Sequence, residues 1–508
     1  MRRGASLDTY PYLRHGSDQH IEIQIEERNS PDCAIPPRPL RSLREPLLLF
    51  CRHPAKPRNH ITTTFRSRQS PPNTIPMDTS RNNRDFAVLF LVMLITGAGN
   101  TALQSILPSL GRSIGVHDFL IAGVFSVSAA VWVIAAPYWA RRSDRAGRRN
   151  MVLLGLAGFS VSILLVGLVL TAGIKGIIAP VTTVLAVVFA RLIYGAFGSA
   201  APPAAQAIIA LQTSREERTK ALTVLGSAFG LGTIIGPALA PYLVFESVGL
   251  AGPAYVFAAF GTLVLIYAWK TLPADAPGSI GHGAQVSYPS IGGAPAGASI
   301  TAAMEPQAIG KLPNRDPRIW PWMVTGLVSG HAQAMAGAAM GFLVIDRLGL
   351  PAAALATQQS IGMVLMTGAG AALLIQWGVI PLLGLAPRMM ILIGLVLAAA
   401  GLAITSLAAS LFAISTAYAL TSMGFGFIRP AVTAGSSLAV NRALQGAVAG
   451  RVTANNGAAF ILGPSIGVGL YELWRPLPYL VGAVALAMLF AYVWRAVRAD
   501  PLDSPISE

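Results

Sequence analysis

From Asp85 to Trp494 the chain is a succession of apolar runs, each long enough to cross hydrocarbon and each separated from the next by a polar break. Crossing about 30 Å of hydrocarbon takes roughly 20 residues at ~1.5 Å rise each. A backbone in lipid must satisfy its own hydrogen bonds, so every run is predicted to be a helix. Twelve are predicted, over residues 86–109, 119–140, 150–172, 182–210, 221–245, 252–271, 319–345, 353–376, 387–408, 411–436, 446–471 and 475–495. The fourth and eighth have the least sharply marked edges.

Hydrophobic residues make up 53% of the chain and charged ones 12%, a balance that no soluble core requires. The formal net charge of +15 would ordinarily point to a polyanion. Here the cations concentrate in short loops and in the N-terminal segment, so the charge is read as membrane topology and no nucleic-acid partner is expected.

The stretch Pro137-Tyr-Trp-Ala-Arg-Arg-Ser-Asp-Arg-Ala-Gly-Arg-Arg149 lies between two apolar runs. A hairpin so short and so basic is expected to stay on the cytoplasmic side. With both termini on that side, Arg141, Arg142, Arg145, Arg148, Arg149, Arg215, Arg218, Lys220, Lys311, Arg315, Arg388, Arg442, Arg451, Arg495 and Arg498 all fall inside. Arg112, Lys175, Arg347 and Arg475 fall outside. Trp139, Trp269, Trp320, Trp322, Trp474 and Trp494 sit near predicted helix ends, where an amphipathic indole favours the headgroup layer. The expected location is the cell inner (plasma) membrane.

Residues 1–80 hold no apolar run long enough to span, are rich in Pro, Arg and Ser, and contain both cysteines, Cys33 and Cys51. They are expected to form a disordered tail, and Pro46-Leu-Leu-Leu-Phe50 is too short and too far in for a secretory signal. A start of translation at Met77 is the alternative reading. Residues 81–272 and 318–498 are predicted as two bundles, joined by a flexible Gly/Pro/Ala/Ser-rich linker over 273–317, with a short tail at 499–508.

A single offset of 227 residues superposes Pro203 on Pro430, Gly236-Pro237 on Gly463-Pro464 and Leu239 on Ile466. That repeat predicts an all-α membrane protein with twelve transmembrane helices in two pseudosymmetric six-helix bundles, the path for a solute running between them.

At these residues the chain resembles the major facilitator superfamily. Asp144, Arg145, Gly147, Arg148 and Arg149 match the family's G-x-x-x-D-[RK]-x-G-[RK]-[RK] hairpin motif, with Ala140 in place of its first glycine. Arg191-Leu-Ile-Tyr-Gly195 is similar to an R-x-x-x-G signature whose arginine faces the central cavity. Gly226 to Ala240, with Gly232, Gly236 and Pro237, looks like the antiporter signature of proton-driven drug exporters, its closing glycine pair replaced by Ala240 and Pro241. Leu107-Pro108-Ser109-Leu110 resembles an ending common among such exporters, while the acidic residue some of them carry nine positions before the proline is Gly99 here.

Physical chemistry gives these positions roles independent of the family. Asp144 can pair with neighbouring arginines, and Arg148 and Arg149 favour helix C-terminal ends, so the hairpin can act as a transport gate or only as an anchor. Arg191 lies well inside a span, where a guanidinium needs water or a partner. It can hold an anionic substrate, tune a proton carrier or snorkel. His331 is the one intramembrane histidine and can carry a proton or line the cavity. Asn100, Gln104, Gln333 and Arg429 are further cavity candidates. Gly232, Gly236 and Pro237, repeated as Gly463, Pro464 and Gly467, are expected to allow close packing and paired bends.

No phosphate-binding G-x-x-x-x-G-K-[ST] loop, hydrolase signature or metal-ligand cluster is present in the sequence, so neither an enzyme nor any cofactor is expected. The expected function is secondary transport by alternating access, as proton-coupled efflux of a small amphipathic or apolar compound. The expected partners are that small molecule, a proton gradient and the lipid bilayer, with the protein acting as a monomer. Uptake of a metabolite on the same scaffold and a non-transporting receptor or scaffold are the alternatives.

Overall fold

A computed structural model describes residues 79–213, 218–273, 313, 315–440 and 444–497. Residues 1–78, most of the 273–317 segment and residues 498–508 lie outside the described residues, and with them the expected tails and linker. Among the described residues the chain forms twelve rods: α1 (Thr79–Ser113), α2 (Asp118–Ala146), α3 (Arg148–Ile174), α4 (Pro180–Ile193, resuming over Ala201–Gln212), α5 (Arg218–Leu239), α6 (Gly252–Thr271), α7 (Trp320–Leu348), α8 (Leu355–Leu374, ending with Ile380–Leu383), α9 (Pro387–Leu407), α10 (Leu411–Leu438), α11 (Gln445–Leu473) and α12 (Leu477–Ala496). The first rod begins at Thr79, just inside the stretch expected to be tail.

Prolines mark where many rods begin. Pro180, Pro253, Pro321, Pro387 and Pro478 occupy the first turns of α4, α6, α7, α9 and α12, where the missing N–H is no loss and the fixed φ suits the helix. Between α2 and α3 the chain turns on Gly147 at φ 87°, a backbone conformation in which a side chain is strained. That explains the glycine inside the charged hairpin.

Two rods are interrupted. The fourth passes through a π turn over Tyr194–Gly198 and the eighth through another over Ile375–Val379. These are the two spans whose edges are least marked in the sequence. Eleven of the rods are long and apolar enough to cross a membrane. The exception is α11, as long as α7 but carrying Arg451, Asn455, Asn456 and Glu472, and packed between α7 and α2.

Packing repeats across the two halves. The α1–α5 pairing is matched by α7–α11, α2–α4 by α8–α10, and α3–α6 by α9–α12. The halves meet through α2–α11 and α5–α8, two contacts exchanged by the same pseudo-twofold relation, with α1–α7 between them. In lipid, close contact rather than oil burial holds helices together, and small residues permit it. A Cβ added at Gly232 or Gly236 would strike the α1 backbone, and one at Gly467 would stand 2.5 Å from Met335 Cα of α7. Large apolar side chains such as Ile134, Phe189, Leu263, Leu382 and Phe412 are left exposed on the outer surface, as a lipid-facing belt requires. The chain is a multi-pass membrane protein.

Candidate functional site: a buried arginine and the closure between the bundles

The two ends of the bundle pair are named here the hairpin face, which carries the α2–α3 turn, and the far face. On the far face, Arg112 in the last turn of α1 binds two carboxylates. Its Nε and Nη2 donate to Asp118 at the start of α2, the shorter contact being 2.7 Å, and its Nη1 and Nη2 donate to Asp346 near the end of α7 at 2.7 and 3.0 Å. A planar fork meeting a carboxylate twice is the strongest form such a pair takes. Asp346 also accepts a short hydrogen bond from the Tyr471 hydroxyl and lies 3.3 Å from Arg475 Nε. The Phe119 backbone N–H donates to Glu472 Oε1 at 2.9 Å. Helices α1 and α2 are thereby tied to α7 and α11. Asp118 also stands where the amino end of its own helix favours a negative charge.

Deeper in, the bundles touch through small groups. The hydroxyls of Ser126 and Ser465 are 2.9 Å apart across α2–α11. A Cβ added at Gly341 would stand 2.7 Å from the Pro108 ring, and one at Gly362 would stand 2.5 Å from the Pro237 carbonyl oxygen. Gly236 and Pro237 therefore divide their work: the glycine admits α1 within its own bundle, while the proline carbonyl faces α8 of the other. Gly463, beside Ala334, and Gly467 likewise face α7 within the second bundle.

The polar centre lies below this closure. Arg191 is 2% exposed; its Nη2 donates to Asn100 Oδ1 of α1 at 2.7 Å, and its guanidinium stands 4.5 Å over the Tyr194 ring and 5.9 Å from the Phe125 ring. Trp132 and Phe159 hold Tyr194 from behind, at ring distances of 5.1 and 5.9 Å. The π turn follows at once, and Gly195 within it lets α4 approach the Ser128 carbonyl of α2. Such turns gather at functional positions because they redirect the helix face. Asn100, Gln104, Phe125, Ser128, Arg191 and Phe460 line a common cavity.

A second arginine, Arg429, lies on α10 of the second bundle. Its guanidinium lies 5.9 Å from the Phe460 ring, and it lines a cavity with Gln333 and Asn456. Phe460 borders both cavities, standing between an arginine of each bundle. Nothing in the sequence distinguishes it from other core phenylalanines. His331 borders none of the three described cavities, and its Nδ1 lies 2.8 Å from the Leu327 carbonyl oxygen of its own helix. Two residues of helix turn the chain by about 200°, so Gln333 faces the cavity and His331 does not.

At the hairpin, Arg149 Nη2 donates to the Trp269 carbonyl in the last turn of α6 at 2.5 Å, and Arg148 is buried. Arg388 at the start of α9 treats α12 in the same way, donating to the carbonyls of Val497 and Trp494. Arg149 and Arg388 thus sit where helix C-terminal ends favour a cation. The side chains of Asp144 and Arg145 lie outside the described residues. Among the described residues no group of His, Cys, Asp and Glu could hold a metal ion.

The Major Facilitator Superfamily model matches residues 89–385. The staphyloferrin B transporter of Staphylococcus aureus is 31% identical over 36% of this chain and 43% of its own length. The class B tetracycline resistance protein of Escherichia coli is 33% identical over 30% of this chain and 36% of its own, and the multidrug resistance protein MdtG of Proteus mirabilis is 28% identical over 31% and 38%. The chain thus spans less than half the length of these curated relatives. Among solved structures, the human organic anion transporter MFSD10 aligns with a TM-score of 0.54 at 19% identity, over 81% of this chain and 99% of the other. A bacterial homologue of the human lysosomal transporter Spinster, in an inward-facing and unoccupied conformation, aligns with 0.59 at 12%, over 82% and 96%. The repeated packing, the buried arginine on the fourth rod and the matched family model converge: the chain belongs to the major facilitator superfamily.

Proposed function

We propose that the protein is a secondary carrier of the plasma membrane, or the inner membrane of a cell with two, that exports a small amphipathic molecule in exchange for protons. The observation that carries this reading is the far-face closure lying directly above a polar centre lined by both bundles. A pathway shut at one end, by contacts that can be made and unmade, is what alternating access needs. The basic hairpin then marks the cytoplasmic face, and the far face is external.

The chemistry of the tie supports proton coupling. Asp346 is the acidic group through which Arg112 joins α1 to α7, and Asp118 of α2 holds the same guanidinium within its own bundle. A proton arriving from outside and neutralising a carboxylate of this cluster weakens the hold on Arg112, and so favours parting of the bundles on that face. Export is supported by the partial matches to proteins named for drug resistance. Accumulation of a fluorescent amphipathic dye in cells with and without the gene tests the direction: expression should lower it, and collapsing the proton gradient should restore it. Dye levels indifferent to both would refute proton-driven export.

A further inference from the structure

We propose that the polar centre at Arg191 is a carboxylate seat, so that the solute carried is an amphipathic anion; this rests on the reading of the protein as a carrier. Arg191 is buried, yet its Nε and Nη1 have no hydrogen-bond partner. The same holds for the Asn100 amide nitrogen and the Tyr194 hydroxyl beside it. The Tyr194 and Phe125 rings lie within about 6 Å of the guanidinium and attract its charge, but offer Nε and Nη1 no oxygen or nitrogen acceptor.

Among the described residues no carboxylate lines this cavity. Asp118 and Asp346, the acids on the same bundle contact, are engaged by Arg112 on the far face. A desolvated cation with idle donors and no acidic neighbour is costly unless an anion reaches it. A planar carboxylate fits the planar fork of a guanidinium, with the Asn100 amide adding a third donor.

The body of the ligand is defined by the neighbouring cavity. It shares Gln104 and Phe125 with the arginine's cavity and continues toward the far face along Ile121, Ala122, Phe342 and Leu365. A polar head at Arg191 and an apolar tail along these side chains therefore match the path. Both cavities are small in this state, and the seat opens fully when the bundles separate.

The test uses purified full-length protein and 11-(dansylamino)undecanoic acid, compared with its uncharged methyl ester by fluorescence titration near neutral pH. Wild type should bind the acid at least about tenfold more tightly than the ester. Arg191→Gln should bring the two within about threefold, while Arg191→Lys keeps part of the preference. Equal binding of acid and ester by wild type, or an acid preference that survives Arg191→Gln, overturns the proposal; if Arg191→Gln does not fold, the wild-type comparison and Arg191→Lys decide. Proteoliposomes separate the two readings. Movement of the ester without the acid would refute the anion seat and leave the carrier intact. If the acid is bound in preference and neither probe moves under any imposed gradient, the carrier reading fails instead.

Discussion

Arg112 and Asp346, 234 residues apart in the chain, face each other across the two bundles and share two hydrogen bonds of 2.7 and 3.0 Å. Both side chains are mostly buried, at 23% and 11% exposure, so solvent screens the pair only in part. A hydrogen bond to a charged group contributes about 1.5–3 kcal/mol.

Removing one partner should therefore shift the balance between closed and open far faces by roughly ten- to a hundredfold. Asp346→Asn is expected to make a cysteine placed at Gln104 reactive toward a membrane-impermeant thiol reagent from the far side. Unchanged protection of that cysteine would show that the tie does not hold the face shut.

Gly362 and Pro237 set the limit of approach between α5 and α8. An alanine at Gly362 brings a Cβ to 2.5 Å from the Pro237 carbonyl oxygen, so the rods must move apart. Overpacking of this kind costs on the order of 1–3 kcal/mol. Gly362→Ala should slow turnover and lower the thermal midpoint, whereas Gly370→Ala, with open space around it, should do neither. Equal effects at both positions would contradict the steric account.

Arg149 and Arg388 perform matching tasks at the ends of α6 and α12. Each →Gln substitution should destabilise the protein by about 0.3–1 kcal/mol, the scale of a cation at an exposed helix end, and Arg388→Gln should leave transport nearly intact. Asp144→Asn, by contrast, should impair turnover without altering insertion, if the hairpin is part of the gate. Thermal unfolding and transport rates measured side by side distinguish anchoring from gating.

His331 bonds within its own helix and borders none of the described cavities. His331→Ala should accordingly leave the pH profile of transport unchanged. A flattened profile would return the proton to this residue and away from the far-face carboxylates.

Helix positions were legible because apolar runs and prolines mark them: α6 is expected over 252–271 and spans Gly252–Thr271. The π turns in α4 and α8 were not, since Tyr194–Gly198 and Ile375–Val379 are ordinary apolar sequence and their extra residue per turn answers to packing. Arg191 announces itself as a charge in oil. Its partner Asn100, 91 residues away, and the ring of Phe460 beside the cavity are set by tertiary packing alone. Arg112, Asp118 and Asp346 could be placed near helix ends, but their pairing across two halves leaves no local pattern. The choice between His331 and Gln333 depends on how α7 is rotated about its axis, and both lie in the same apolar run.

Closure of one face as the other opens can be followed by electron paramagnetic resonance distances on the full chain with Cys33 and Cys51 replaced by serine. One pair of spin labels is placed on the far face, at Lys175→Cys and Ala409→Cys, and a second on the hairpin face, at Asn150→Cys and Met389→Cys. Lowering the pH, or adding Asp346→Asn, should lengthen the first distance and shorten the second. Distances that stay fixed, or that change in the same sense at both faces, would contradict the account.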